Sequence, residues 1–372
     1  MFIRKGEHNQ SMQCNKEDKS VVIVGAGVIG LTCSYQLALK GYKNVTIIAK
    51  DFPTTGLLKP EYTSSKSGAH FRPFPSRNDV EYRDSRFSRT TYKYFKKLAV
   101  EHPESSIKFL KGIDYLEYPD PLYMKFGRGY RDGVEDFKLI PKEELPPKVV
   151  FGATYKTWCM NSPVYLEFLQ NNLDMKYGYK FIQAEVPSLK VVAQKYPHAT
   201  IINATGMGLQ YDGSWDPSCY QIRGQTLLVR PPLNSKYENC TVTHQLANGE
   251  WSFVIPRPLN GGIIVGGTKV VNGKNFDPDP TETEHLIENA EIRFPELLTE
   301  DKHKLEIRRV NVGFRPARRG GAKVEKSIIA GTTIIDCYGF AGSGMEMSWG
   351  AAEKAITLLE NKGKSYLNRS KL

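Results

Sequence analysis

"VVIVGAGVIGLTCSYQLALKG" occupies residues 21–41 and decides the fold. Val21 to Val24 read as a buried strand. They run into Gly25, Gly27 and Gly30, and a helix follows from Val28 to about Lys40, closed by Gly41. "NVTIIAK" (44–50) reads as a second strand. A strand–helix–strand unit of about 30 residues is the setting in which GxGxxG means dinucleotide binding. Gly25 permits the tight turn, Gly27 lets a pyrophosphate approach the backbone, and Gly30 lets helix and strand pack closely. Ala26, Val28 and Ile29 complete this turn, where free N–H groups and a partial positive charge meet the phosphates. An acid usually holds the ribose about twenty residues further on. Here the chain reads Ala49-Lys50-Asp51. A lysine at that place favours a 2′-phosphate, so these residues alone leave the dinucleotide open.

The chain has 372 residues, enough for one large core or two smaller ones. Its 40% hydrophobic and 24% charged content is that of a globular enzyme. No apolar run approaches the roughly 18–20 residues of a membrane span. Residues 1–19 are polar, lack a secretory core segment and read as a loose tail. Six scattered cysteines with no CxxC spacing predict reduced thiols and an intracellular setting. The histidines form no HxH or HExxH cluster, so no metal site is expected. The formal charge of +11 raises nucleic acid as a partner. The densest basic run, Lys302 to Lys326, carries no recognisable nucleic-acid module and reads as solvated surface.

Further along, Ser162-Pro163 opens a helix to about Tyr177, with Ser162 as its N-cap. Strands are expected at 199–208, 222–230, 252–258, 261–271 and 332–340, and helices at 281–294 and 344–361. The fold class is α/β: a Rossmann-like dinucleotide domain in discontinuous segments, with a β-rich domain inserted.

Several stretches, in order, resemble the FAD-dependent D-amino acid oxidase family, above all its fungal members. They are "VVIVGAGVIGL" (21–31), "SGAHFRPF" (67–74), "NATGMG" (203–208), "IRGQTLLV" (222–229), "IPRP" (255–258), "GGT" (266–268), "NVGFRPARRGG" (311–321) and "YGFAGSGMEMSWGAAE" (338–353). The resemblance implies FAD as cofactor. It implies an FAD domain of residues 20–76, 160–225 and 322–362, a substrate domain of 77–159 and 226–321, and an exposed tail from 363. Lys50 or Asp51 is then placed at the adenosine ribose, and Val186 at the adenine. Thr63 and Ser64 match a flavin- or phosphate-binding turn. Gly68, Ala69, His70, Thr205 and Gly206 join the cofactor set. Backbone N–H groups of Gly342, Ser343, Gly344 and Met345, with Glu346 in the helix that follows, are implied to face the flavin pyrimidine edge, where they stabilise negative charge.

Arg315 is the sharpest catalytic candidate. Read as a strand, Arg309, Asn311, Gly313 and Arg315 face one side and Val310, Val312 and Phe314 the other. A planar guanidinium holds an α-carboxylate through two parallel hydrogen bonds, though the pattern equally allows a structural salt bridge. The resemblance selects the carboxylate clamp, and leaves Arg318 and Arg319 as structural. It also implies the chemistry: the D-amino acid Cα–H passes as hydride to FAD, the imino acid hydrolyses to 2-oxo acid and ammonia, and oxygen yields hydrogen peroxide.

Two departures bear on substrate. Phe253 stands where the family commonly has Tyr, so a carboxylate-fixing hydroxyl is missing. Lys269 follows "GGT" where fungal members have Tyr and D-aspartate oxidases Arg; it suits an acidic side chain or the α-carboxylate. Val242 sits where a basic residue would help acidic specificity. Tyr237, His244 and Trp251, in an expected lid over 232–251, are the candidates to replace the lost hydroxyl. His70, where Asn is frequent, lies over the flavin or packs. Four alternatives stay open: an oxidase of acidic D-amino acids, an oxidase of glycine or sarcosine, an FAD-binding protein without oxidase activity, and an NADP-binding reductase. The final residues, Ser370-Lys371-Leu372, match a peroxisomal address, so an import receptor and a peroxisomal matrix location are expected. A homodimer is left open; nucleic acid and membrane are not expected partners.

Overall fold

The computed structural model describes residues 16–299 and 304–361. Two sheets organise them. The first has six strands: β1 (Val21–Val24), β2 (Val45–Ala49), β6 (Lys180–Gln183), β7 (Thr200–Asn203), β14 (Lys323–Ile329) and β15 (Thr332–Tyr338). Their spatial order is β14-β15-β7-β1-β2-β6, with every neighbour parallel except β14, an antiparallel edge. β1, β2 and β7 are buried throughout because helices cover both faces. Val21 and Ile23 face the helices Val28–Leu39 and Gly344–Glu360; Val22 and Val24 face the helix Leu189–Lys195.

The second sheet has nine strands: β3 (Lys108–Leu116), β4 (Lys138–Leu139), β5 (Phe151–Cys159), β8 (Cys219–Arg230), β9 (Cys240–Gln245), β10 (Trp251–Pro256), β11 (Ile263–Gly266), β12 (Val270–Val271) and β13 (Glu306–Arg318). One apolar face, with Leu227, Val229, Val254 and Val265, packs on Leu286 and Ala290 of the helix Pro280–Arg293. β13 lies antiparallel to β8 from Glu306↔Arg230 to Arg318↔Cys219, with a bulge between Ile307 and Arg309. This pairing sets Gly313 opposite Gly224 and Arg315 opposite Ile222.

The structure departs from the sequence reading in four places. The helix Asp79–Glu101, expected in the second domain, packs with the first sheet: Tyr92, Phe95 and Leu98 share a core with Val21, and Tyr94 stacks on Trp349 at 4.6 Å. β8 runs through the expected boundary at 225, because its whole length pairs within the second sheet. The stretch 261–271 is two strands, β11 and β12, since Gly267 and Thr268 leave the β11 ladder before β12 meets Arg223. Asn161, not Ser162, is the N-cap. The Ser162 hydroxyl instead donates to the Ser67 carbonyl at 2.7 Å.

The helices Asp79–Glu101 and Gly344–Glu360 cross closely at a glycine. A Cβ on Gly350 would stand 2.5 Å from the Phe87 Cα. Gly350→Ala is therefore expected to cost about 1–3 kcal/mol by forcing the helices apart. Thermal unfolding checks it, with a lowered Tm as the expected result.

Candidate active site

The two sheets enclose a cavity of ≈ 850 Å³. Its near end is the glycine turn. Gly25 has φ 106°, and a Cβ there would lie 2.4 Å from the Ala204 carbonyl oxygen. Gly30 does not line the cavity; its Cβ would lie 1.9 Å from the Gly25 carbonyl oxygen. It is the close-packing glycine, set off the cavity wall. Gly27, Val28 and Ile29 open the first helix toward the cavity, and no side chain of the N-cap residue closes that helix end. Tyr62, which sequence reasoning missed, donates from its hydroxyl to the Ala26 carbonyl at 2.7 Å and braces the turn. Ser64 Oγ accepts from the Val28 N–H at 3.1 Å.

Lys50, Asp51 and Val186 line the cavity beyond the end of β2. Lys50 reaches out to Glu185 at 3.6 Å and is largely exposed; Asp51 pairs with Lys59 and is nearly buried. Asp51 is thus the side chain held at the wall. A helix N-terminus with no N-cap side chain, a bare Gly27 and a long apolar trough fit a dinucleotide such as FAD. Thr205, Gly206, Gly68 and Ala69 border the trough, as do Gly342, Gly344, Met345 and Glu346 at its far end. Ser343 does not. It closes the turn Ala341–Ser343, one residue before the helix begins.

The far end holds Arg315. Asn311, Gly313 and Arg315 line the cavity, and so do Phe314, expected on the opposite face, and Pro316, while Val310 packs on the second core. Arg315 Nη1 donates to the Thr268 carbonyl at 3.1 Å. Among the described residues no carboxylate pairs with it, and burial alone pushes its pKa below the usual arginine range. Among those residues Arg315 makes no structural salt bridge. A half-buried cation facing a cavity without a counter-ion is a site for an anionic ligand. The guanidinium lies flat on Gly224: a Cβ there would be 2.4–2.5 Å from Nη1, Cζ and Nη2. Thr63 ties this strand to the cofactor side. Its hydroxyl donates to the Phe314 carbonyl at 2.6 Å and accepts from the Phe314 N–H at 3.1 Å.

Phe253 lines the same end, its ring against Gly266 and Gly267. Lys269 does not: it is exposed and off the cavity. A lysine at the head of the short link into β12 points to solvent, where hydration of its ammonium is retained. The expected lid over 232–251 has β9 at its centre, which pairs with both β3 and β10 and so is fixed in the second sheet. Val242 is buried in the second core. Tyr237 donates to Glu296 at 2.7 Å, His244 pairs with Glu117 at 3.1 Å, and the Trp251 ring lies under Arg72. None of the three lines the cavity, so none stands in for the missing hydroxyl. Arg318 pairs with Asp216 at 2.9 Å, a structural role as expected. Gln221, Gly224 and Thr226 border the cavity and were missed. Alternation along β8 could not nominate them without knowing its partner strand. Asn311 was recoverable, four residues from Arg315 on the same strand face.

Two titratable groups border the far end. His70 is held down to about 3 by burial and by Arg72, so its ring is neutral. Its Nδ1 is buried without a partner. Burial pushes the Glu346 carboxyl up from 4.5 to about 7, against the opposing pull of Arg89, Ser88 and Arg72.

Comparison with known proteins agrees with this geometry. Residues 20–358 match a family described as FAD dependent oxidoreductase. A D-amino-acid oxidase of Schizosaccharomyces pombe is 34% identical over 92% of this chain and 97% of its own. The chain belongs to the D-amino acid oxidase family of FAD-dependent oxidoreductases. A D-aspartate oxidase of Talaromyces thermophilus is a further relative, 30% identical over 91% of this chain and 94% of its own. Among solved structures, glycine oxidase from Bacillus cereus matches with a TM-score of 0.69 at 18% identity, over 94% of this chain and 97% of that one. That likeness shows the fold. For this family member the cofactor is FAD, which the helix N-terminus and the walls described above would hold.

Glu346 carries a pH signature. The folded protein keeps its proton to about pH 7, whereas an unfolded chain releases it near 4.5. Between those values the folded state binds more protons, so this group's contribution to stability falls as pH rises. Glu346→Gln removes that loss. From pH 5 to pH 8 the variant should gain on the order of 2 kcal/mol relative to the native chain. Urea unfolding at the two pH values measures it.

Proposed function

We propose that the chain oxidises D-amino acids, with the substrate α-carboxylate seated on Arg315. The observation that carries this reading is a half-buried guanidinium lining the FAD trough with a carbonyl as its only hydrogen-bond partner among the described residues. The fungal relatives named above support the substrate class. FAD, when bound, supplies the hydride acceptor. The protein's part is placement. The fork of Arg315 fixes two carboxylate oxygens, and so fixes the Cα next to them. Phe253 and Ile255 exclude water from that end, which strengthens the charge pairing. His70 is uncharged and does not compete for the carboxylate. The products on this reading are the 2-oxo acid, ammonia and hydrogen peroxide.

Replacing Arg315 tests it. Arg315→Met should lower kcat/KM for D-alanine by about a thousandfold or more, and leave FAD bound. Anaerobic bleaching of the flavin band by a D-amino acid panel reads the outcome. A native protein bleached by no D-amino acid would sink the reading.

Acidic substrates need a second cation, and Lys269 lies off the cavity. Lys269→Met should therefore change turnover of D-aspartate and of D-alanine by no more than about twofold. A selective loss of D-aspartate turnover would restore the acidic reading. The peroxisomal location is part of the same proposal. Ser370-Lys371-Leu372 lies outside the described residues. Deleting it should move the protein from peroxisomes to cytosol, as fluorescence microscopy of a tagged chain would report.

A further inference from the structure

Arg315 presents its fork in one direction, yet a single hydrogen bond to the Thr268 carbonyl holds the guanidinium. Thr268 lies between β11 and β12, just after Gly266 and Gly267, where the backbone has little intrinsic stiffness. Its orientation comes from elsewhere. The Thr268 N–H donates to the Gln225 carbonyl at 3.0 Å. Its hydroxyl accepts from the Gln225 N–H at 2.9 Å and donates to Glu282 Oε2 at 2.9 Å. The hydroxyl's only donor is thereby committed.

Glu282 stands in the first turn of the helix Pro280–Arg293, where the Asp279 side chain accepts from its N–H at 3.1 Å. The same Oε2 pairs with Arg223 Nη1 at 2.7 Å, and the Arg223 side chain is 3% exposed. Arg223 is fixed in turn by the Asn275 and Asp277 carbonyls and by Gln225 Oε1, at 2.7, 2.8 and 3.0 Å. Thr268, Glu282 and Arg223 all lie behind the cavity wall. The charge arrangement matters. The Glu282 carboxylate is balanced by Arg223, so only a neutral carbonyl touches Arg315. The clamp is held firmly without being neutralised, and an incoming carboxylate displaces no acid.

We propose that Arg223, Glu282 and Thr268 form a positioning device for the Arg315 carboxylate clamp, with Gly224 as its floor. The proposal rests on Arg315 as the carboxylate site. It extends that site to a helix of the second domain that touches neither cofactor nor substrate. The test compares FAD-loaded Thr268→Val, which removes the hydroxyl at constant shape, with Thr268→Ser, which keeps it. The probe is propionate, a carboxylate that cannot turn over, read by perturbation of the flavin spectrum. In Thr268→Val the propionate Kd and the KM for D-alanine should both rise about tenfold, with kcat and FAD affinity within about twofold. Thr268→Ser should match the native protein. Should Thr268→Val not fold, Glu282→Gln is expected to shift the propionate Kd in the same direction. Unchanged propionate affinity in Thr268→Val or in Glu282→Gln overturns the device, as does FAD affinity falling in step with it. Native protein that binds no propionate overturns the Arg315 site itself, and the device with it.

Discussion

The pairing of β13 with β8 is the constraint on which the site depends. It sets two glycines, Gly313 and Gly224, across from each other and opens a gap in the side-chain layer. The Arg315 guanidinium fills that gap, flat on Gly224. One end of β13 is fastened to the cofactor half by two adjacent hydroxyls. Thr63 holds both polar backbone groups of Phe314, and Ser64 holds the first N–H of the nucleotide helix. A short path of bonds thus registers the phosphate end of the trough against the carboxylate end. Rigid placement of this kind is what a hydride transfer asks of its protein.

Electrostatics follows from what surrounds each charge. Arg315 is partly withdrawn from water and meets no acid among the described residues, so the cavity favours a carboxylate at that end. His70 stays neutral beside Arg72, and burial keeps Glu346 protonated up to about pH 7. Lys66, on the same wall, is drawn down to about 8 by burial, Arg309 and Arg257. The carboxylates in the lining are Asp51, Glu61, Glu185 and Glu346, the last held protonated by burial up to about pH 7.

Much of this was legible in order along the chain. The glycine spacing located the nucleotide turn, and alternation in "NVGFRP" put Asn311, Gly313 and Arg315 on one face, as they are in the cavity. What failed had no local signature. Lys269 and Val242 were placed by alignment with a family pattern, and one proved exposed, the other core. Tyr237, His244 and Trp251 read as lid residues because aromatic and polar residues mix there. Their side chains were already engaged by Glu296, Glu117 and Arg72, which lie far away in sequence.

The sequence alone determined the α/β class, the phosphate turn and the strand that carries the basic clamp. Those depend on spacing along one segment: 3.6 residues for a helix, two for a strand, and glycine where a Cβ cannot fit. Only the tertiary structure decided that Arg315 has no acid partner among the described residues, that Gly30 packs off the cavity, and that the helix Asp79–Glu101 belongs with the nucleotide sheet. Each of these depends on which distant segments meet, and on how much water that meeting removes. Neither quantity is written in any one stretch of chain.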